Sequence, residues 1–267
     1  MTLSKRGRTV RNAIYCVLVY LFLFLPIAVV VAGSFNATES RPYLTWKGFS
    51  LMWYQRLFDG SQAALMEAFG HTMLIALTST LLSTVIGTLV AVGMYRYRFR
   101  GKALIDALLY VPVVIPEIVM GISLLVLFAQ AQVPRGMLTL VIAHTTFCIP
   151  FVVFNVRARL AGYDVSVEEA SLDLGANRVQ TFWNITVPVL APGIGAGALL
   201  AFTLSIDDVI ISYFVNGKTS VFPLKVMESI KMGVPPSVNA LSAILLLFTV
   251  IFVVLTQSDL LSRHRSE

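Results

Sequence analysis

Three carboxylates stand inside runs that are otherwise apolar: Glu117 in Pro116-Glu117-Ile118-Val119-Met120, and the pair in Ser205-Ile206-Asp207-Asp208-Val209-Ile210. A charge near the centre of a bilayer costs about 2.5–3.5 kcal/mol on insertion scales, so an acid placed there faces a polar pathway or a partner charge. The chemistry on offer is recognition of a cation. Acids lined by aromatic or apolar surface accept the N–H donors of an extended amine and offset its desolvation. Glu117, set between Pro116 and an apolar run to Phe128, fits that role, and Pro112 and Pro116 would loosen the helix around it and free carbonyls for substrate or water. For Asp207 and Asp208 two readings stand, a pathway lining and a local helix cap, because Ser205 and Asp208 have the spacing of a cap. Trp46 and Tyr213 are the aromatic candidates for the same path, with ordinary interfacial anchoring as the alternative.

Other chemistries find no support. HExxH, paired CxxC and nucleophile-elbow patterns are absent, and the three histidines, His71, His144 and His264, are far apart. His144 reads as a hydrogen-bonding contact between helices. Cys16 and Cys148 lie singly in apolar runs, unlike a disulfide framework or a metal site. Gly217-Lys218-Thr219 mimics the tail of a phosphate-binding loop, but position 212 is Ser where that pattern requires Gly. No catalytic residue, metal site or ATP site is expected in this chain.

The elements that must hold these residues are membrane helices. Of 267 residues 57% are apolar and 13% charged, with mean hydropathy +0.81. Ordinary soluble domains carry roughly 25% charged residues, so a water-soluble globule is excluded. Runs that are apolar throughout also exclude the alternating strands of a β-barrel. Charge-free windows fall at 12–38, 68–95, 107–134 with Glu117 set aside, 136–156, 179–206 and 232–258. Each exceeds the ~20 residues that cross a hydrocarbon core. They predict one all-α polytopic membrane domain over residues 1–267 with six transmembrane helices. On straight helices, a third span entering near Ala103 places Glu117 roughly 21 Å along, and a fifth entering near Val189 places Asp207 roughly 27 Å along, both in the outer half.

Six spans put both termini on one side. With those termini cytoplasmic, thirteen of the 20 basic residues lie inside, the densest group being Arg96, Arg98, Arg100 and Lys102, and seven, including Arg41, lie outside. The positive-inside bias therefore selects this orientation, and the net charge of +6 reflects topology rather than nucleic-acid binding. The apolar run Ala13–Ala32 after Lys5, Arg6, Arg8 and Arg11 exceeds the ~7–15 residues of a signal h-region, which predicts a retained first helix. Outside, the Asn36–Gly70 loop carries Tyr43, Trp46, Trp53 and Tyr54, expected as headgroup anchors.

The longest cytoplasmic segment, about 157–188, spaces Val167, Ala170, Leu174, Val179 and Phe182 as a helix would, and such a stripe needs cover. An anionic leaflet would repel Glu168, Glu169 and Asp173, so the cover is a partner protein. Within this loop Glu169-Ala170-Ser171 is followed after three residues by Gly175 and after nine more by Ile185-Thr186-Val187-Pro188. This resembles the EAA loop of bacterial ABC importer permeases, Glu-Ala-Ala, three residues, Gly, nine residues, Ile, one residue, Leu-Pro, with Ser171 for the second Ala and Val187 for Leu. The resemblance implies a short coupling helix seated in a cleft of a separate ATPase subunit. It assigns Glu168, Glu169, Ala170, Ser171, Asp173, Gly175, Ala176, Ile185 and Pro188 to that joint. The physics agrees: Ala170 and Ser171 permit close approach, Gly175 a sharp turn, and Glu169 supports the first helical turn and meets basic groups. Pro188 is expected to end the loop before the fifth span.

Four further stretches, Tyr95–Lys102, Pro116–Met120, Thr146–Phe151 and Ser205–Ile210, are similar to the second permease subunit of spermidine/putrescine importers, a likeness running from first span to last. It implies the type I ABC importer permease fold in a bacterial inner membrane. The implied partners are a sister permease, two ATPase subunits and an extracytoplasmic polyamine-binding protein. No cofactor is implied in this chain, since ATP and Mg would bind to the ATPases. Rivals are a type I permease for another solute and an ion-coupled secondary transporter. The latter needs no EAA loop, and no sequence repeat links the two halves as in many such transporters. In a bacterial protein the triplets Asn36-Ala37-Thr38 and Asn184-Ile185-Thr186 are chance matches to a glycosylation signal.

Overall fold

The computed structural model describes residues 5–39, 45–231 and 233–264; Arg41, Tyr43 and Arg265 lie outside them. The described residues are helical, joined by loops, with no strand beyond an isolated antiparallel bridge between Asn36 and Phe49. Four helices are long and apolar enough to cross a membrane: Arg11–Ser34 within α1 (Lys5–Ser34), α3 (Ala63–Arg96), α6 (Met137–Leu160) and the continuous stretch Arg178–Ile206. A fifth span is a bent pair, α4 (Lys102–Val114) and α5 (Glu117–Gln130). The sixth window maps onto α12 (Pro236–His264), whose apolar part runs Pro236–Ile251. Short helices complete the chain: α2 (Met52–Phe58), α7 (Ser166–Asp173), α8 (Arg178–Thr181), α10 (Ile210–Val215) and α11 (Phe222–Ile230).

Two windows depart from the straight helices expected. The third bends by 114° between α4 and α5. Pro116 lacks an N–H and forces Ile115 out of the helical region, to φ −77°, ψ 135°. Glu117 therefore opens a new helix, and the height estimated along a straight one does not hold. In the fifth, α8 passes through a π-helical turn, Phe182–Thr186, directly into α9 (Val187–Ile206). Pro188 thus stands inside a continuous helix and does not end the loop. Its ring and missing N–H conflict with the carbonyl four residues earlier, and the wider turn at that place absorbs the conflict. The helix that carries this window therefore begins at Arg178, not near Val189.

The chain forms two compact units, Met1–Met66 with Glu228–Phe252, and Glu67–Met227 with Val253–Glu267. In the first, the apolar stretch of α1 presents its residues at the surface, and Asn36 organises the following loop. The Asn36 side chain donates to the Thr45 carbonyl (3.0 Å) and accepts from Lys47 N–H (3.0 Å), while its own carbonyl accepts from Trp53 Nε1 (2.9 Å). Trp53 is therefore buried, with the Arg56 guanidinium 5.0 Å from its ring centroid, rather than facing headgroups. The second unit is built on α6 against α9. Leu140, Ala143, Cys148, Val152, Val153 and Val156 of α6 meet Leu190 and Ala201 of α9 in a fully buried core. Gly193 and Gly197 make this approach possible: an added Cβ at Gly197 would lie 3.0 Å from Val152 Cα, and one at Gly193 2.9 Å from Arg159 Cβ.

Candidate functional site

The acids Glu117, Asp207 and Asp208 gather in the second unit, where α9 ends and α5 and α10 begin. α10 packs on α5 because Gly121 leaves room for the Phe214 ring, whose nearest atom would stand 2.6 Å from an added Cβ. Glu117, in the first turn of α5, comes within electrostatic range of both Asp207 and Asp208. The three are not equivalent. Asp208 is buried and fully engaged: Oδ1 accepts from Ile211 N–H (3.3 Å) and Oδ2 from Ser212 N–H (2.7 Å), capping α10. His144 Nε2 lies 3.4 Å from Asp208 Oδ2 and 3.0 Å from Ser212 Oγ, and its Nδ1 lies 2.7 Å from Ser205 Oγ. Ser205 in turn meets Ser79 Oγ at 3.0 Å. The cap expected from the Ser205/Asp208 spacing thus points forward onto α10, and Ser205 serves His144 instead. Asp207 is exposed, Glu117 half-buried and Tyr213 exposed, so these three remain accessible. Trp46, also exposed, belongs to the first unit.

The loop after α6 holds the second cluster. Glu168 in α7 is its hub: Oε1 accepts hydrogen bonds from Tyr163 OH (2.7 Å) and Thr186 Oγ1 (2.6 Å) and pairs with the Arg96 guanidinium at the end of α3. Arg96 Nη2 also donates to Thr186 Oγ1 (2.8 Å). Burial alone would raise the Glu168 carboxyl, but the donors Thr186, Tyr163 and Arg96 and the Arg96 charge hold it below its ordinary value. Burial and the bond to Glu168 push the Tyr163 phenol up to about 12, keeping it a donor. Ser171 Oγ lies 3.1 Å from Thr181 Oγ1, and Asn177 and Gln180 exchange side-chain to backbone bonds of 2.9 Å, a capping box at the start of α8.

The remaining residues singled out in this loop sit differently. Glu169, Ala170, Asp173, Gly175 and Pro188 are exposed; Ser171, Ala176 and Ile185 are half-buried. Gly175 adopts φ +89°, the left-handed conformation that ends α7. Around it Leu174 is 89% exposed, and Val179 and Trp183 are also exposed, apolar surface left without cover among the described residues. Gly217 of the false phosphate loop has a structural reason: a Cβ there would stand 2.2 Å from the Arg135 carbonyl oxygen. Asn36 is buried and Asn184 exposed, and the engagement of the Asn36 amide accounts for that residue without any glycan.

Residues 83–265 match the family model of the binding-protein-dependent transport system inner membrane component. The chain belongs to this family. It is an integral membrane permease subunit, not an enzyme. It is 41% identical over 262 residues, 98% of this chain and 97% of the relative, to the spermidine/putrescine transport system permease protein PotC of Escherichia coli K12. It is 39% identical over 235 residues, 85% and 82% of the two chains, to the putrescine transport system permease protein PotI of the same organism. Its fold matches a chain of a bacterial ABC transporter that imports the acidic polysaccharide alginate, with TM-score 0.73 at 15% identity, covering 97% of this permease and 99% of that chain. The expected all-α permease fold is therefore the fold observed. Missed from sequence were Arg96, counted only as an orientation charge, Tyr163, and the role of Thr186, though Thr186 lies inside the loop motif.

Proposed function

We propose that this permease forms half of the translocation pathway of an ATP-driven importer for spermidine or putrescine, as one permease domain over residues 1–267. The observation that carries this is likeness to two polyamine permeases, one of them along nearly the whole of both chains. The proposed assembly pairs the chain with a sister permease, two ATPase subunits that bind ATP and Mg, and an extracytoplasmic polyamine-binding protein. It sits in the bacterial inner membrane with both termini cytoplasmic, the orientation favoured by the charge bias.

Glu117 and Asp207, with Tyr213 of α10 and Trp46 on the outer loop, are assigned to the substrate pathway. A diamine or triamine has N–H donors separated by methylenes, and two accessible carboxylates within electrostatic range of each other can accept from such donors. Asp208 contributes its charge to the same cluster while capping α10. On the cytoplasmic side Glu169, Ala170, Asp173, Gly175 and Ala176, with the apolar face at Leu174, dock on the ATPase, and Glu168, Ser171, Ile185 and Pro188 back that surface. ATP-driven closure of the two ATPases moves both loops, opens the paired membrane domains outward to receive the cation, and hydrolysis restores the inward-open state. The test is labelled-spermidine uptake in cells lacking their own importer, restored with the full set of subunits or the set without this chain. Uptake only with the full set supports the assignment. Active ATPase in the assembled complex with no uptake removes the polyamine.

A further inference from the structure

The Glu169 acid of the loop motif faces outward, whereas the residue before it does not. Glu168 turns inward, and every partner it has belongs to a different part of the second unit: Arg96 at the end of α3, Tyr163 just beyond α6, and Thr186 at the end of the π-helical turn that feeds α9. Its carboxylate side chain is 12% exposed and that of Arg96 26%. α7 itself has no buried residue, and its apolar side chains Val167 and Leu172 are only partly covered, so no buried apolar contact fastens it to the bundle. The polar centre is thus the main fastening of this helix, reinforced by the Ser171–Thr181 hydroxyl contact. A carboxylate held by several charge-assisted and short hydrogen bonds is a stronger and more directional tether than a contact between small apolar side chains.

We infer that Glu168, with Arg96, Tyr163 and Thr186, is a latch that transmits motion of α7 to α3, α6 and α9, acting as a positioning residue while Glu169 and Leu174 meet the partner. The inference rests on the coupling role given to this loop above. The latch engages the π turn itself: Thr186 is the last residue of that turn, immediately before α9, so a pull on Glu168 acts where the helix is already widened and its backbone bonds are rearranged. Cutting the latch leaves the docking face intact and severs what lies behind it.

The experiment is hydrogen–deuterium exchange on the full transporter assembled with its ATPase, with and without ATP and vanadate, for the wild type, Glu168→Gln, and the charge exchange Arg96→Glu with Glu168→Arg. In the wild type, segments 164–176 and 182–190 both change exchange on trapping. In Glu168→Gln the first still responds, while the response of the second falls about fivefold or more, the low end of ordinary coupling factors. The charge exchange restores part of it, which a folding defect would not show. An unchanged response of 182–190 in Glu168→Gln overturns the latch, as does loss of the response of 164–176, which would make Glu168 a docking residue, or a wild type in which neither segment responds. Spermidine uptake measured on the same wild-type assembly reports separately: exchange as described without uptake removes the polyamine and keeps the latch.

Discussion

Two adjacent acidic pairs, Glu168-Glu169 and Asp207-Asp208, divide in the same way, one member bonded inward and its neighbour exposed. The inward members differ in what holds them. Asp208 is fixed by two backbone N–H groups of α10 and by His144 within a buried network, so it shapes a short helix beside the acid cluster. Glu168 is fixed by side chains from three separate places in the second unit and shapes nothing by itself; it joins things. The first arrangement fixes the start of one short helix. The second ties α7 to three other parts of the unit, and the other member of each pair is exposed.

The largest effect is expected where the engaged group is most buried. Asp208→Ala strands the Ile211 and Ser212 N–H groups of α10 and removes the contact to His144, at a cost of about 1–3 kcal/mol for each buried donor left without a partner. It should appear as loss of folded permease from the membrane and a lower melting temperature in detergent, whereas Asp207→Asn should leave both unchanged. Gly175→Asp comes next. A side chain at φ +89° costs about 1–2 kcal/mol locally, nothing lies within 4 Å of the new Cβ, and the membrane core is untouched. Insertion should therefore be normal while ATP-driven uptake is lost; normal uptake would remove Gly175 from the coupling joint. Neutralising an accessible acid should weaken uptake rather than abolish it. Asp207→Asn or Glu117→Gln should remove one charge-assisted bond to substrate, about 1.5–3 kcal/mol, seen as a KM for spermidine raised roughly tenfold or more.

The smallest effect is a pH dependence. Glu168 is held below its ordinary value of 4.5 by Thr186, Tyr163 and Arg96, against burial. A depressed carboxyl stabilises the fold above its unfolded pKa and loses that contribution as pH falls through the folded one. The difference in melting temperature between wild type and Glu168→Gln should stay constant from neutral pH down to about 4.5 and shrink below it. A difference that grows on acidification would contradict the ion pair.

Much of this was legible in the chain itself, and particular residues show where legibility ended. The helical class and the windows for the spans followed from uninterrupted apolar runs, because a membrane demands local satisfaction of every backbone group. The loop motif located α7 and the turn at Gly175. The break at Pro116 was announced by Pro112 and Pro116, yet its angle of 114° depends on what α5 packs against, which no local pattern records. Pro188 misled for the opposite reason: a proline normally stops a helix, but the π turn upstream let α8 continue into α9. Arg96 is paired with a residue 72 positions away, and a charge bias along the sequence registers its sign without its partner. Trp53 looked interfacial until the Asn36 carbonyl supplied the acceptor for its N–H.

The division of labour between the two pairs is tested most directly by labelled-spermidine uptake kinetics in proteoliposomes holding the complete transporter, comparing Asp207→Asn with Glu168→Gln at matched abundance. Asp207→Asn should raise KM with the maximal rate retained, and Glu168→Gln should lower the maximal rate per ATP hydrolysed with KM retained. The same defect in both variants would contradict it.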